Sequence, residues 1–196
     1  MINLPILKIE YLLMECDLNG MEEISDSLWD IRILDEREAG PEEILGVGSR
    51  EIERRFKNGD LCFVATDGIR QLGVIWGHRG NCYVRGAGKR LSLAPEDVYL
   101  YGVYTLPEAR KQGVYSALKS CFLQQYRLLG AERVLALIDR KNDIMRISLR
   151  ESAFREKAGI YYLRIGRFSF SLERDIETGK KNFRVIRREP NDCFII

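Results

Sequence analysis

Arg110, Lys111 and Gly113 lie within four residues of one another, where a strand-like run, Val98 to Thr105, gives way to a helical stripe. Two cations and a glycine at a helix start suit an anion. The first helical N–H groups have no intrahelical partner, the helix dipole is positive there, and a glycine lets the backbone close on a phosphate. The full stretch is Pro107-Glu108-Ala109-Arg110-Lys111-Gln112-Gly113-Val114-Tyr115-Ser116-Ala117-Leu118. It lacks the glycine spacing of a dinucleotide fingerprint, and no Gly-Lys-Ser/Thr follows as in a Walker loop. On these residues alone the alternative, a surface turn that caps a helix, stays open.

Other reactive side chains are sparse. The sole histidine, His78, sits in Gly77-His78-Arg79-Gly80, which reads as a solvated turn after a strand. The five cysteines are odd in number and none has C-x-x-C spacing, so no structural metal site is expected and free thiols in a reducing cytoplasm fit best. Cys121 falls on a helical core stripe and reads as a small buried hydrophobe. Glu96 and Asp97 precede the strand that feeds the turn, where a carboxylate can cap a loop or relay a proton. Tyr99, Tyr101 and Tyr104 read as packing residues of that strand. Net charge is +2, from 31 basic and 29 acidic residues, which leaves no electrostatic footprint for nucleic acid. No apolar run approaches the ~20 residues of a membrane helix, and Met1 to Pro5 lack the features of a secretion signal. The basic stretch Lys180 to Arg188 alternates with Phe183, Val185 and Ile186, as a surface strand does.

The elements that would position the turn follow from periodicity. Ile6 to Cys16 reads as a strand and Leu18 to Arg32 as a helix. A second helix is expected to start at Pro41, weakened by Gly46 and Gly48, and to resume over Ser49 to Phe56 until Asn58-Gly59-Asp60 stops it. Leu61 to Ala65 and Leu72 to Trp76 form a hairpin, whereas Arg79 to Ala94 yields no assignment. Asp97 to Thr105 is a central strand. Val114, Ala117, Leu118, Cys121, Phe122 and Tyr126 make a helix face closed by Gly130. Val134 to Ile138 reads as a parallel strand of a β-α-β unit. Asp143 to Lys157 reads as a helix ended by Gly159. Ile160 to Leu172, interrupted by Gly166, and Phe183 to Ile186 complete a mixed α/β (α+β) chain of one domain, residues 1–196.

The turn resembles the acyl-CoA-binding motif of the GNAT superfamily of N-acyltransferases, Arg/Gln-x-x-Gly-x-Gly/Ala after a strand. Arg110-Lys111-Gln112-Gly113-Val114-Tyr115 fills it, with Tyr115 in place of the usual small residue. The order of elements and Gly159-Ile160 also match, over about Leu61 to Phe170. The resemblance implies a mixed, mostly antiparallel central sheet flanked by helices, with a splay between its fourth and fifth strands. It implies acetyl-CoA or another acyl-CoA as co-substrate and a small-molecule or peptide amine as acceptor, with no metal, nucleic acid or membrane and with a homodimer admitted. Pantetheine would pair with the backbone of Val103, Tyr104 and Thr105. The pyrophosphate would lie on Lys111, Gln112, Gly113, Val114, Tyr115 and Ser116 beside Arg110, with Asn142 also at the cofactor. Tyr161 or Tyr162, just past the later helix, would supply the acid for the leaving thiolate, and Glu96 or Asp97 would relay the amine's proton. The sequence departs from the family where Ser148 stands at the usual Asn position and Arg155 at the usual Tyr position. An acyl-carrier-protein or long-chain donor, and a non-catalytic acyl-CoA sensor, are the alternatives.

Overall fold

The computed structural model describes residues 6–21, 28–35, 44–84, 89–165 and 168–187. In chain order the elements are β1 (Ile6–Asp17), β2 (Asp30–Leu34), α1 (Ser49–Lys57), β3 (Leu61–Thr66), β4 (Gln71–Arg79), β5 (Cys82–Val84), β6 (Lys89–Leu91) and β7 (Asp97–Thr105), then a short 3-10 turn at Pro107–Ala109, α2 (Val114–Leu128), β8 (Arg133–Asp139), α3 (Asp143–Arg150), β9 (Arg155–Ile165), β10 (Phe168–Asp175) and β11 (Lys181–Arg187). This is the expected mixed class, with mostly antiparallel strands flanked by helices. Among the described residues no helix is long and apolar enough to cross a membrane. The chain divides into two compact units.

One unit comprises Leu18–Gly80 and Ala94–Val134. Its strands run in the order β2-β3-β4-β7, each pair antiparallel. Helix α2 packs its stripe of Val114, Leu118, Phe122, Leu123 and Tyr126 on β3 and β4. Each such side chain removed from water contributes about 1.5–3 kcal/mol. Close approach needs small residues in β4. A Cβ on Gly73 would stand 3.1 Å from both Leu118 and Val114, and one on Gly77 would strike the ring of Tyr126. Helix α1 buries Ile52, Arg55 and Phe56, which share one face at i, i+3 and i+4 spacing. It closes in a Schellman motif: Gly59, at φ +78°, donates to the Phe56 carbonyl and Asp60 N–H to that of Arg55.

The other unit comprises Met1–Asp17, Asn81–Leu93 and Leu135–Ile196. Its strands run β11-β10-β9-β1-β8, with β1, β9, β10 and β11 antiparallel in sequence. The unassigned Gly- and Arg-rich segment holds the small hairpin of β5 and β6, Cys82 opposite Leu91.

Three expected helical runs are corrected. Asp30 to Arg32, read as the end of a first helix, begin β2: Ile31 and Ile33 pair with Ala65 and Phe63, and ladder bonds outweigh a weak helical period. Residues 22–27 of that run lie outside the described residues. Of the helix expected from Pro41, residues 41–43 also lie outside them, and Ile44 to Val47 form a bridged turn with Gly46 at φ +72°. The helix expected to reach Lys157 stops at Arg150, because Ala153 turns left-handed at φ +64° and Phe154 donates back to the Leu149 carbonyl and is buried. Arg155 and Glu156 then pair with Glu15 and Met14 of β1. Arg155 is therefore a strand residue, and Gly159 lies inside β9 rather than at a helix end.

Candidate functional site

The junction of β7 and α2 is built almost wholly from its own backbone. β7 carries a bulge: Val74 pairs with Tyr104 and Trp76 with Tyr101, so β7 takes one more residue than β4 over this stretch. Gly102, at φ +58°, supplies the turn of the bulge. Beyond Thr105 the ladder continues with Leu106 N–H donating to Leu72. The 3-10 turn follows, and Lys111 and Gly113 then adopt left-handed conformations at φ +62° and +80°. Among the described residues, the N–H groups of Lys111 through Ser116 donate to no backbone carbonyl. The first bond of α2 is from Ala117 to Gly113. Alternating backbone handedness with consecutive unpaired amides makes an anion-binding concavity.

Side chains brace this turn. Arg110 Nε donates to the Thr105 carbonyl at 3.2 Å, Gln112 Nε2 to the Glu108 carbonyl at 2.7 Å, and Trp29 Nε1 to the Gln112 carbonyl at 3.1 Å. Arg110, Lys111, Gln112, Gly113 and Ser116 are exposed, and Val114 is buried. A Cβ on Gly113 would meet nothing within 4 Å, so φ, not space, calls for glycine there. Tyr115 folds inward: its hydroxyl is buried without an acceptor, Lys119 Nζ lies 4.9 Å from the ring, and burial raises its pKa. Val103 and Thr105 are half-buried, and Tyr104 is exposed beside Gly46.

A second polar group lies in the same unit, and its members come from three elements and the connection after α1. Asp60, 1% exposed, sits where the Schellman motif of α1 releases the chain. Its Oδ2 accepts from the Tyr101 hydroxyl at 2.6 Å, and its Oδ1 lies 2.5 Å from Nδ1 of His78. Burial is the main reason the Tyr101 phenol is held far above its usual pKa, and the Asp60 charge adds to it, so Tyr101 stays the donor. His78 is a buried residue of β4, not the solvated turn residue expected. A short apolar strand followed by Arg and Gly hid this, because the strand runs on through Arg79. Arg55 stacks between Trp76 and Tyr101, 4.7 and 4.9 Å from the ring centroids. Its Nε donates to Glu51 at 2.9 Å. Asp60 and Arg55 carried no sequence signal beyond a helix stop and a charged helix.

The remaining expected residues are placed as follows. Asp97 is buried at the start of β7, where its carboxylate accepts from Arg133 Nε at 2.8 Å, Arg133 Nη2 at 3.1 Å and the Ala94 N–H at 2.9 Å. The Glu96 carbonyl accepts from the Glu132 N–H at 2.9 Å. At about 3.3 Å per residue, Asp97 stands roughly 26 Å along β7 from Thr105, and Glu96 precedes it. In the other unit, Asn142 caps α3 by accepting from Met145 N–H at 3.1 Å, and the Tyr161 hydroxyl accepts from Arg140 at 3.1 Å. Cys121 is half-buried, beside rather than within the buried stripe of α2. Among the described residues no cluster of His, Cys, Asp and Glu could hold a metal ion.

Comparison with known proteins leaves the sequence without a match among protein-family models and among curated proteins. The structure does find neighbours. It is similar to a GNAT-family acetyltransferase from Novosphingobium aromaticivorans, with a TM-score of 0.54 and 16% identity over 84% of this chain and 68% of that one. It is also similar to a GNAT-family acetyltransferase from Colwellia psychrerythraea, with a TM-score of 0.51 and 13% identity over 81% of this chain and 56% of that one. A conserved protein of unknown function from Staphylococcus epidermidis aligns equally well, with a TM-score of 0.54 and 13% identity over 81% and 62% of the two chains. The chain thus spans between about half and two thirds of the length of these proteins. At such identities the likeness is one of fold, and the chain has a GNAT-like fold.

Proposed function

We propose that this protein is an N-acyltransferase that moves an acyl group, most simply acetyl, from acyl-CoA to a primary amine. The observation that carries the reading is the β7–α2 turn, where six consecutive N–H groups have no backbone acceptor among the described residues and two exposed cations are adjacent in the chain, on a GNAT-like fold. A pyrophosphate suits that turn, since charge-assisted bonds to amides and to Arg110 and Lys111 add to the helix dipole. Pantetheine would run along Val103 to Thr105, adding backbone hydrogen bonds at the strand. The amine would attack the thioester carbonyl, forming the amide bond and breaking the carbon–sulfur bond. One proton leaves the amine and one joins the thiolate of coenzyme A. Within this reading His78 takes the amine's proton. Its Nδ1 is fixed by Asp60, an arrangement that leaves Nε2 as the reactive nitrogen, and Nε2 has no partner among the described residues.

The test is thermal shift with coenzyme A and acetyl-CoA, followed by thiol release with a panel of amines. Stabilisation by both, lost in Gly113→Glu, together with thiol release on an amine, supports the reading. Absence of any shift with short or long acyl-CoAs would remove it. Binding without transfer to any amine would leave a sensor of the same fold, and transfer from an acyl carrier protein alone would reassign the donor. His78→Gln is expected to lower kcat with little change in the KM for acetyl-CoA.

A further inference from the structure

Three side-chain donors brace the β7–α2 turn, and they act on different kinds of peptide. Arg110 Nε holds the Thr105 carbonyl, but the N–H of that peptide, on Leu106, already donates to the Leu72 carbonyl at 2.9 Å. Gln112 Nε2 holds the Glu108 carbonyl, and the N–H of that peptide, on Ala109, already donates to the Leu106 carbonyl at 2.9 Å. Trp29 Nε1 holds the Gln112 carbonyl at 3.1 Å, and the N–H of that peptide, on Gly113, donates to no backbone carbonyl among the described residues. Of the three braces, Trp29 is the one that fixes a peptide whose N–H is unused.

A trans peptide is planar, so its C=O and N–H point in opposite directions. With the Gln112 carbonyl turned to the indole, the Gly113 N–H is turned away from it. The backbone alone does not hold this plane. Rotating the peptide changes φ of the residue that follows, and glycine accepts φ of either sign. Gly113 stands at φ +80°. A rotated peptide would present its carbonyl oxygen where the N–H had been, and an anion would meet a partial negative charge in place of a positive one. The brace comes from 83 positions away in the chain. Trp29 directly precedes β2, whose Asp30 pairs with Thr66 of β3, so the indole is anchored on the sheet rather than on the turn it holds. Gly113 is exposed, and a Cβ on it would meet nothing within 4 Å, so the space beside its Cα is open.

We propose that Trp29 is a positioning residue for the acyl donor: through the Gln112 carbonyl it holds the Gly113 N–H toward the pyrophosphate. The proposal rests on the acyl-transfer reading. Without the indole, water can satisfy the Gln112 carbonyl, but water does not fix the direction of the peptide.

The experiment uses the full chain, as wild type and as Trp29→Phe, which keeps an aromatic ring and removes the donor. Coenzyme A affinity is measured by calorimetry, and thiol release is followed with acetyl-CoA and an amine. The amide proton of Gly113 is followed by NMR in isotope-labelled protein titrated with coenzyme A. In the wild type that proton is expected to move downfield, the mark of a new hydrogen bond to an anion. Trp29→Phe is expected to weaken coenzyme A about tenfold, the scale of one charge-assisted hydrogen bond. It should raise the KM for acetyl-CoA with kcat unchanged and abolish the downfield shift. A Gly113 amide that does not respond to bound coenzyme A in the wild type would overturn the positioning role. So would unchanged affinity in Trp29→Phe, or weaker binding with the Gly113 response intact, the last showing a merely structural residue. Each of these leaves acyl transfer in place. No binding of coenzyme A or acetyl-CoA by the wild type would instead remove acyl transfer, and the positioning role with it.

Discussion

The β7–α2 turn and the Asp60 cluster belong to the same unit and are built in opposite ways. The turn uses contiguous residues, its working groups are backbone amides, and it is exposed. The cluster draws Arg55 from α1, Asp60 from the chain after it, His78 and Trp76 from β4 and Tyr101 from β7, and it is buried. A site made of backbone at a strand–helix junction needs only local conformation. A site made of side chains needs the whole unit in register. The first tolerates most neighbours, whereas the second makes its residues interdependent, since Asp60 finds its partners, His78 and Tyr101, on two different strands.

That difference can be broken experimentally, beginning with the largest effect. Asp60→Ala strands the Tyr101 hydroxyl and His78 Nδ1 in the interior. Breaking a buried charged network in this way costs about 3–5 kcal/mol. Urea unfolding should read that loss, and a change below about 1 kcal/mol would mean that the cluster is not a unit. Gly113→Ala should lose only about 1–2 kcal/mol, the penalty of the left-handed conformation for a residue with a Cβ, because no atom obstructs the side chain. Gly113→Asn should lose less, since Asn tolerates that conformation. If the two variants behave alike, conformation is not what the position requires.

The smallest effect is in pH. Burial raises the Glu51 pKa, but the hydrogen bonds and charges of Arg54 and Arg55 outweigh it and hold the group below its ordinary 4.5. A carboxylate lowered on folding contributes stability above its unfolded value and loses it as pH falls through the folded one. Wild type should therefore lose stability more steeply than Glu51→Gln between about pH 5 and 3. Equal slopes would show that α1 does not rely on this carboxylate.

What could be read beforehand follows the same line. α2 was legible because Val114, Leu118, Phe122 and Tyr126 recur at helical spacing and Gly130 ends the helix. α3 was overrun because its stop is Ala153, which carries no helix-ending signature. Its left-handed turn is imposed by the buried Phe154 and by the pairing of β9 with β1. Asn58-Gly59-Asp60 was recognised as a stop, yet the same Schellman motif that ends α1 also aims Asp60 into the interior, which periodicity does not reveal. His78 reads as a turn residue in the sequence because a neighbouring glycine and arginine resemble a loop when β7 is not there to pair with it.

The sequence by itself determined the strand, the turn and the amphipathic helix that follows, and with them the junction at Arg110 to Ser116 that is proposed to hold an anion. Those features depend on residues a few positions apart, and local backbone conformation is enough to specify them. Only the tertiary structure decided that Asp60, His78 and Tyr101 share hydrogen bonds and that Arg55 and Trp76 pack against Gly102. Residues 47 positions apart along the chain, Arg55 and Gly102, become neighbours through strand register and helix packing, and no short-range pattern encodes that meeting.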